Sequence, residues 1–422
     1  MKQLLTYFFL FACLSTFAQD VSLEQQGSFV ITPELLLGIT AEANENFVEH
    51  GLQSGAIINF GWEQDYNTQE WAQRLKGPRT GVSLGYANFG NADSLGIGIT
   101  AMPFIEFNAF RSKRLKVLSG MGLSYFNKIY DPVTNPNNKG ITTDFAWSFR
   151  IFMHYQFLSS QKIDWRAGVG YYHHSNGHTK LPNQGLNSFL FSVSADIKNP
   201  TKMQAAQDGF VKPDFKRTIY DYTSFRAGYG VSVLGEAEVF NETKGVYTVA
   251  GEYGKVVNNT FKVGTGFYYR YYEHYHDYIK NNESLVQDGQ ELAGLNDNPF
   301  YNGSAYGLFI TGEILLNHVG IEAYVGANLH KPAYQIDWQI NEGWDNTPRE
   351  IPPNWLLGAL DSNYKKKKLI STRLGLKYYL IGTKKAPVNN IYAAFHINTN
   401  LGQADFTEFS LGYVYSFKFK ER

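Results

Sequence analysis

The stretch Trp165-Arg166-Ala167-Gly168-Val169-Gly170-Tyr171-Tyr172-His173-His174-Ser175 alternates between two kinds of residue. Its odd positions are Trp, Ala, Val, Tyr, His and Ser, and its even positions are Arg, Gly, Gly, Tyr and His. Successive side chains of a β-strand point to opposite faces, so the pattern predicts a strand with one mainly apolar face. Residues 187–197 repeat it, with Asn, Phe, Phe, Val, Ala and Ile at odd positions and mostly Ser and Asp at even ones.

Similar alternating segments, separated by turn-rich polar stretches, fill most of the chain. They predict an all-β fold, an antiparallel transmembrane β-barrel, because closed bacterial barrels contain an even number of strands. The predicted strands of the first half are 28–42, 52–63, 80–90, 95–110, 114–127, 142–157, 162–175 and 187–198. Those of the second half are 223–235, 245–257, 260–272, 304–316, 318–330, 368–381, 389–399 and 405–418.

A charged, irregular segment divides these two sets of strands. Residues 200–217 contain Pro200 and Pro213, and they are predicted to form a linker between a first unit at 19–199 and a second barrel-forming unit at 218–422. Two architectures remain open. Two eight-stranded barrels would be filled by side chains, whereas one barrel of about sixteen strands would leave an aqueous channel. The proline-bearing linker favours two units.

The composition supports a β-barrel and excludes other classes. Of the 422 residues, 16% are aromatic, and after the N-terminal segment no apolar run is long enough to be a membrane-spanning helix. Aromatic girdles are typical of outer-membrane barrels. The formal net charge is zero, so no excess of basic residues indicates a nucleic-acid partner.

The N-terminal segment has the features of a secretory signal peptide. Lys2 precedes an apolar run, and Phe17-Ala18 provides a small-residue cleavage site, which predicts a signal peptide at residues 1–18. The only cysteine is Cys13, so cleavage after Ala18 would leave no disulfide to stabilise the exported chain. We expect the mature protein in the outer membrane of a Gram-negative bacterium.

Two polar residues end the strand quoted above. His173 and Ser175 are two positions apart, so both point to the same face, and a hydroxyl beside an imidazole can form a nucleophile with its general base. In a barrel the odd-numbered face would be the lipid face, which would place His173, Ser175 and Asn187 on the outer wall. Reactive groups in that position indicate a substrate that is itself a lipid.

The ordered set His173-His174-Ser175-Asn176 … Pro182-Asn183-Gln184-Gly185-Leu186-Asn187 resembles the outer-membrane lipid A 3-O-deacylase family (PagL type). The family pattern is His-x-Ser-Asn at a strand end, a short loop with Pro-Asn-x-Gly, and a last strand. The resemblance covers roughly residues 28–198, one eight-stranded barrel. The chain looks similar to the longer Bacteroidetes members that are often labelled acyloxyacyl hydrolases.

The resemblance implies a serine esterase that removes an acyl chain from lipid A. By position, Ser175 would be the nucleophile, His173 the general base and Asn176 a ligand of the oxyanion. A Glu orients the histidine in the family, and Asn187 stands at its position here. An asparagine can accept a hydrogen bond and fix the tautomer, as in Cys-His-Asn proteases, but it supplies no charge.

The partner implied by the resemblance is lipid A, or lipopolysaccharide, in the outer leaflet of the membrane. Its acyl chains are expected to lie against Val169, Phe189, Phe191 and Val193. The sequence contains no cluster of metal ligands and no phosphate-binding loop, so no metal and no cofactor are expected. The sequence does not indicate an oligomeric state.

The second half contains a faint repeat of the first, and its function stays open. His396 lies in Ala393-Ala394-Phe395-His396-Ile397-Asn398-Thr399, a stretch comparable to the one around His173, but here the apolar residues are the odd ones and His396 faces inward. Glu408 is also predicted to face inward, where the two could pair. Two rival classes are a non-catalytic barrel (a pore, adhesin or scaffold) and a phospholipase of the outer leaflet.

Overall fold

A computed structural model describes residues 28–43, 46–341 and 360–421, so the expected signal peptide lies outside the described residues. The first half of the chain forms a closed antiparallel barrel in which each strand pairs with the next and β8 pairs with β1. Its strands are β1 (Phe29–Ala41), β2 (Gln53–Glu63), β3 (Arg79–Asn88), β4 (Ile97–Asn108), β5 (Leu115–Phe126), β6 (Phe145–Ser159), β7 (Ile163–Ser175) and β8 (Leu186–Ile197).

The second half forms a second closed antiparallel barrel, in which β16 pairs with β9. The hydrogen-bonded ladder of the first barrel therefore closes before β9 begins, which excludes one large barrel. The strands are β9 (Thr218–Ser232), β10 (Lys244–Val257), β11 (Phe261–Tyr272), β12 (Ser304–Leu316), β13 (Val319–His330), β14 (Ile370–Tyr379), β15 (Asn389–Asn400) and β16 (Gln403–Glu421).

Short helices occupy several connections. They are α1 (Glu70–Arg74), α2 (Pro200–Asp208), α3 (Glu273–Lys280), α4 (Pro299–Asn302), α5 (Tyr334–Asn341) and α6 (Leu360–Leu369). Single-turn 3₁₀ helices lie at Glu238–Phe240, Ser284–Val286, Ala293–Asp297 and Thr383–Lys385. Within the described ranges, no helix has the length and apolar character needed to cross a membrane.

The segment between the barrels differs from the irregular linker predicted for it. Asn199 caps helix α2 by accepting a hydrogen bond from the Lys202 backbone N–H at 3.1 Å, and Pro200 occupies the first helical position. Proline is favoured there because its missing N–H would have no partner within the helix. The first half of this segment therefore forms a capped helix, which is followed by an irregular stretch up to Thr218.

Charged side chains fill the interior of the first barrel. Glu34, which is fully buried, accepts hydrogen bonds from Arg150 and lies 2.9 Å from Nε2 of His154. Arg79 donates to Asp196 at 2.8 Å, and Arg166 donates to Glu106 at 2.8 Å. Buried charges are costly unless they are paired, and each of these pairs joins two strands that are not neighbours in the barrel.

The interior of the second barrel is built in the same way, but one predicted pair differs. His396 and Glu408 both face inward and stand opposite each other on β15 and β16. His396 Nε2 nevertheless lies 2.8 Å from Glu322, while Glu408 accepts a hydrogen bond from Arg226 at 2.5 Å. Arg226 satisfies Glu408 from the neighbouring strand β9, so His396 and Glu408, which could have paired, have different partners in the polar interior.

The two barrels lie side by side and contact each other at both ends. We call the end where β7 finishes the site end and the opposite one the linker end. At the linker end, Asn259 donates to Glu70 at 2.9 Å. At the site end, the rings of Trp147 and Phe395 stack with centroids 4.7 Å apart.

Candidate active site

The residues singled out in the sequence meet at the site end of β7 and β8. His173 and Ser175 end β7, and both face the outside of the barrel because they alternate with the buried interior residues Tyr172 and His174. The antiparallel register places Asn187 of β8 directly opposite His173. The sequence places these three residues in adjacent strand ends, and strand pairing brings the side chains of His173 and Asn187 together.

The imidazole of His173 is held by an amide. Its Nδ1 lies 2.7 Å from Oδ1 of Asn187, and the hydroxyl of Tyr171 donates to the same oxygen at 2.5 Å. An amide oxygen only accepts hydrogen bonds, so Nδ1 of His173 carries the proton and Nε2 is left as a base. Tyr171, which sequence analysis did not assign to the site, is two residues before His173 on the same face and stacks beside it.

The hydroxyl of Ser175 is bound by an asparagine from the following loop. It donates to Oδ1 of Asn183 at 3.2 Å and accepts from Nδ2 of Asn183 at 2.9 Å. The hydroxyl therefore points to Asn183 rather than to His173. Sequence reasoning quoted Asn183 within the motif but gave it no role, because which way a loop side chain turns depends on the folding of the loop.

Asn176 shapes this loop with its side chain. Its carboxamide oxygen accepts from the backbone N–H groups of His178 and Thr179, at 3.0 and 3.2 Å, and its amide nitrogen donates to the Lys180 carbonyl at 2.7 Å. Gly177 and His178 both have a φ of 68°, a left-handed conformation that glycine adopts without strain. One amide hydrogen of Asn176 is not used by these bonds.

Backbone donors also surround the serine. The Gly177 N–H donates to the Ser175 hydroxyl at 3.3 Å, and the Asn176 N–H donates to Oδ1 of Asn183 at 3.0 Å. On its other side the loop is bound to the β5–β6 connection, where the N–H of Gly185 donates to the Gly140 carbonyl at 3.0 Å. Ser175 is only 4% exposed in this setting.

An apolar groove of about 630 Å³ runs along the outer wall next to His173. Strands β1 and β5 to β8 supply its lining residues, which are Gly38, Ile39, Val117, Ile151, Phe152, Met153, Val169, Gly170, Tyr171, Phe189, Leu190 and Phe191. Three of the four residues predicted to bind acyl chains are among them. The fourth, Val193, is 51% exposed on the same wall but lies further along β8, outside the groove.

The described residues contain no group of three or more His, Cys, Asp or Glu side chains arranged to hold a metal ion. What the arrangement does offer is a hydroxyl, an imidazole with a free nitrogen, several N–H donors and an apolar groove, all on one outer face.

One known protein family matches the first barrel. Residues 56–196 match the family model of lipid A 3-O-deacylase (PagL), which confirms the resemblance seen in the motif. The match covers one third of the chain and ends within β8, so it includes the whole of β7 and the site loop. No curated protein matches the chain significantly.

Three solved structures similar to the chain are distant from it in sequence. The crystal structure of the outer membrane enzyme PagL has 18% identity and a TM-score of 0.28, covering 39% of this chain and 97% of that one. Designed transmembrane β-barrels have 9% identity and a TM-score of 0.23, covering 41% and 99%. An outer membrane channel from Pseudomonas putida F1 has 8% identity and a TM-score of 0.18, covering 94% and 99%.

Proposed function

We propose that this protein, whose residues 56–196 match the lipid A 3-O-deacylase family, is an outer-membrane serine esterase that removes an ester-linked acyl chain from lipid A. The observation that carries the proposal is that His173 and Ser175 face outward on β7, the strand whose preceding residues, up to Tyr171, line the apolar groove. Reactive polar groups on the outer wall of a barrel can meet a lipid that lies in the membrane beside it.

The first step is activation of the nucleophile. His173 Nε2 takes the proton of the Ser175 hydroxyl as the oxygen attacks the ester carbonyl. Ser175 must first turn from Asn183 towards His173, which a rotation about its Cα–Cβ bond permits. Catalytic hydrogen bonds are often absent before substrate binds, so the contact with Asn183 describes the resting enzyme.

The second step is departure of the sugar oxygen. The imidazolium of His173 returns the proton to that oxygen as the carbonyl–oxygen bond breaks, which leaves the acyl group on Ser175. Water then attacks this ester, with His173 again accepting a proton, and His173 returns that proton to the Ser175 oxygen as the free fatty acid leaves. Asn187 and Tyr171 keep the ring in one orientation throughout.

The negative charge that develops on the carbonyl oxygen needs hydrogen-bond donors. The backbone N–H of Gly177 and the unused amide hydrogen of Asn176 are closest to Ser175 along the chain. One such donor typically contributes about 3 kcal/mol to stabilisation of the transition state. Val169, Phe189 and Phe191 would contact the acyl chain below the reacting ester, with Val193 extending this surface.

The experiment that tests this proposal is mass spectrometry of lipid A from cells that express the full chain or its Ser175→Ala variant. We expect one ester-linked acyl chain to be lost with the wild type and retained with Ser175→Ala. Ser160→Ala, which removes a hydroxyl from the exposed β6–β7 turn, is the matched control. Full deacylation of lipid A by Ser175→Ala would contradict the proposal, as would no deacylation by a wild type shown to be folded in the membrane. Loss of an acyl chain from phospholipid instead of lipid A would indicate a phospholipase.

A further inference from the structure

The second barrel contacts the first next to the candidate nucleophile. Trp147 of β6 is the register partner of Ser175, and both face outward. The Trp147 indole stacks on Phe395 of β15 at an interplanar angle of 24°. This stacked pair covers the β6 side of Ser175, so the side of the groove formed by β7, β8 and β1 remains as the approach for a lipid.

A hydrogen-bonded chain crosses from the first barrel to the second and back. The Trp147 indole N–H donates to the hydroxyl of Thr407 on β16 at 3.1 Å, and this hydroxyl donates to the Gly177 carbonyl at 3.3 Å. A Cβ atom added to Gly177 would lie 2.3 Å from Thr407 Oγ1. Thr407 is thus in close contact with the residue whose N–H donates to the Ser175 hydroxyl.

The far half of the same loop is also bound by the second barrel. Asn241, in the β9–β10 connection, accepts from the Leu181 N–H at 2.8 Å and donates to the Leu181 carbonyl at 2.5 Å. Thr243 donates to the Thr179 carbonyl at 3.1 Å. Residues 176–183, which include Asn183, are therefore held by the second barrel at both ends of the loop.

We infer that the second barrel completes the active site of the first, with Thr407 as a positioning residue for the loop after the nucleophile. The inference rests on the proposed function. The loop carries the N–H of Gly177 and the side chains of Asn176 and Asn183, so its placement sets the geometry around Ser175. A displacement of about 1 Å at such a site can slow a reaction by about 100-fold.

The test compares Thr407→Val, which keeps the shape but removes the hydroxyl, with Thr407→Ser, which keeps the hydroxyl. Thr265→Val is the matched control, because the Thr265 hydroxyl also donates to a backbone carbonyl, that of Phe309 at 2.9 Å, but this bond stays within the second barrel. We expect Thr407→Val to lower kcat for lipid A deacylation about 10-fold with little change in KM, because the hydrogen bonds of the hydroxyl with Trp147 and Gly177 are lost. Thr407→Ser and Thr265→Val should retain the wild-type kcat.

Hydrogen–deuterium exchange of residues 176–183 in the full chain provides a readout that does not depend on activity. We expect faster exchange in Thr407→Val and in a second variant, Asn241→Ala, than in the wild type and Thr265→Val. Unchanged exchange and unchanged kcat in both variants would overturn the inference. A wild type without esterase activity would instead contradict the proposed function. The exchange rates would still decide whether the second barrel orders this loop.

Discussion

Asn187 stands opposite His173 in the ladder between β7 and β8, and its Oδ1 atom lies 2.7 Å from Nδ1 of the imidazole. A neutral amide thus stands where the resemblance to lipid A deacylases leads us to expect a carboxylate. The amide can select the Nδ1–H tautomer but cannot neutralise the imidazolium that forms when Ser175 loses its proton.

The first prediction concerns this missing charge. Asn187→Asp has almost the same shape, and its carboxylate can still accept from Tyr171 and His173. We expect it to raise kcat by about 10-fold or more, because removal of the corresponding charge from a serine protease lowers kcat by about 10⁴. Steady-state deacylation of purified lipid A measures the effect. An unchanged or lower kcat in Asn187→Asp would contradict the prediction that a negative charge at this position stabilises the imidazolium.

The second prediction concerns Asn183, which binds the hydroxyl of Ser175 and the N–H of Asn176. We expect Asn183→Ala to lower kcat by roughly 10-fold to 100-fold, since the side chain that orders the site loop is lost. KM should change little because Asn183 is not part of the groove. Asn108→Ala at the linker end is the control, and equal kinetics for the two variants would refute a role for Asn183.

The third prediction concerns the apolar groove. In Val169→Trp the indole would occupy space expected for the acyl chain, so we expect KM to rise about 10-fold, which corresponds to about two methylene groups excluded at about 0.8 kcal/mol each. Ile310→Trp makes the same kind of change on the outer wall of the second barrel. An unchanged KM in Val169→Trp would show that the acyl chain lies elsewhere.

The fourth prediction concerns stability rather than chemistry. Glu34→Gln leaves Arg150 without its carboxylate partner inside the first barrel, and it leaves Glu106 as the carboxylate beside His154. We expect the free energy of unfolding to fall by about 3 kcal/mol, because one member of a buried ion pair is left uncompensated. Urea unfolding in lipid vesicles, followed by tryptophan fluorescence, measures it. Lys113→Ala, which breaks an exposed pair with Asp65, should leave the unfolding midpoint nearly unchanged.

Most strands could be predicted from the sequence within a few residues, since side-chain alternation is a local property of each strand. The prediction was poorest for β9, which begins at Thr218 rather than at residue 223. Its first residues, including Tyr220 and Asp221, are mostly polar or aromatic on both faces, so they show no apolar alternation. The same limitation explains why residues 200–208 were not predicted to be helical, because α2 exposes nearly all of its side chains and has no apolar face to recognise.

Some contacts of the candidate site could be predicted from the sequence, and others could not. His173, Ser175 and Asn187 lie on adjacent strand ends, so the shared outward face of His173 and Ser175 follows from alternation, and the contact of His173 with Asn187 follows from strand pairing. Asn183 and Tyr171 required the folded loop and the final side-chain directions before their partners could be known. The partner of His396 was missed because it comes from β13, which is not a sequence neighbour of β15.

The sequence by itself determined the all-β class, the strand order along the chain, the outer face that carries His173 and Ser175, and the resemblance to lipid A deacylases, because these depend on local spacing. Only the tertiary structure decided that β8 closes on β1, so that there are two barrels, and that Thr407 and Phe395 reach the loop beside Ser175. Both depend on contacts between residues far apart in the chain, whose geometry is set by barrel closure and packing rather than by any local pattern.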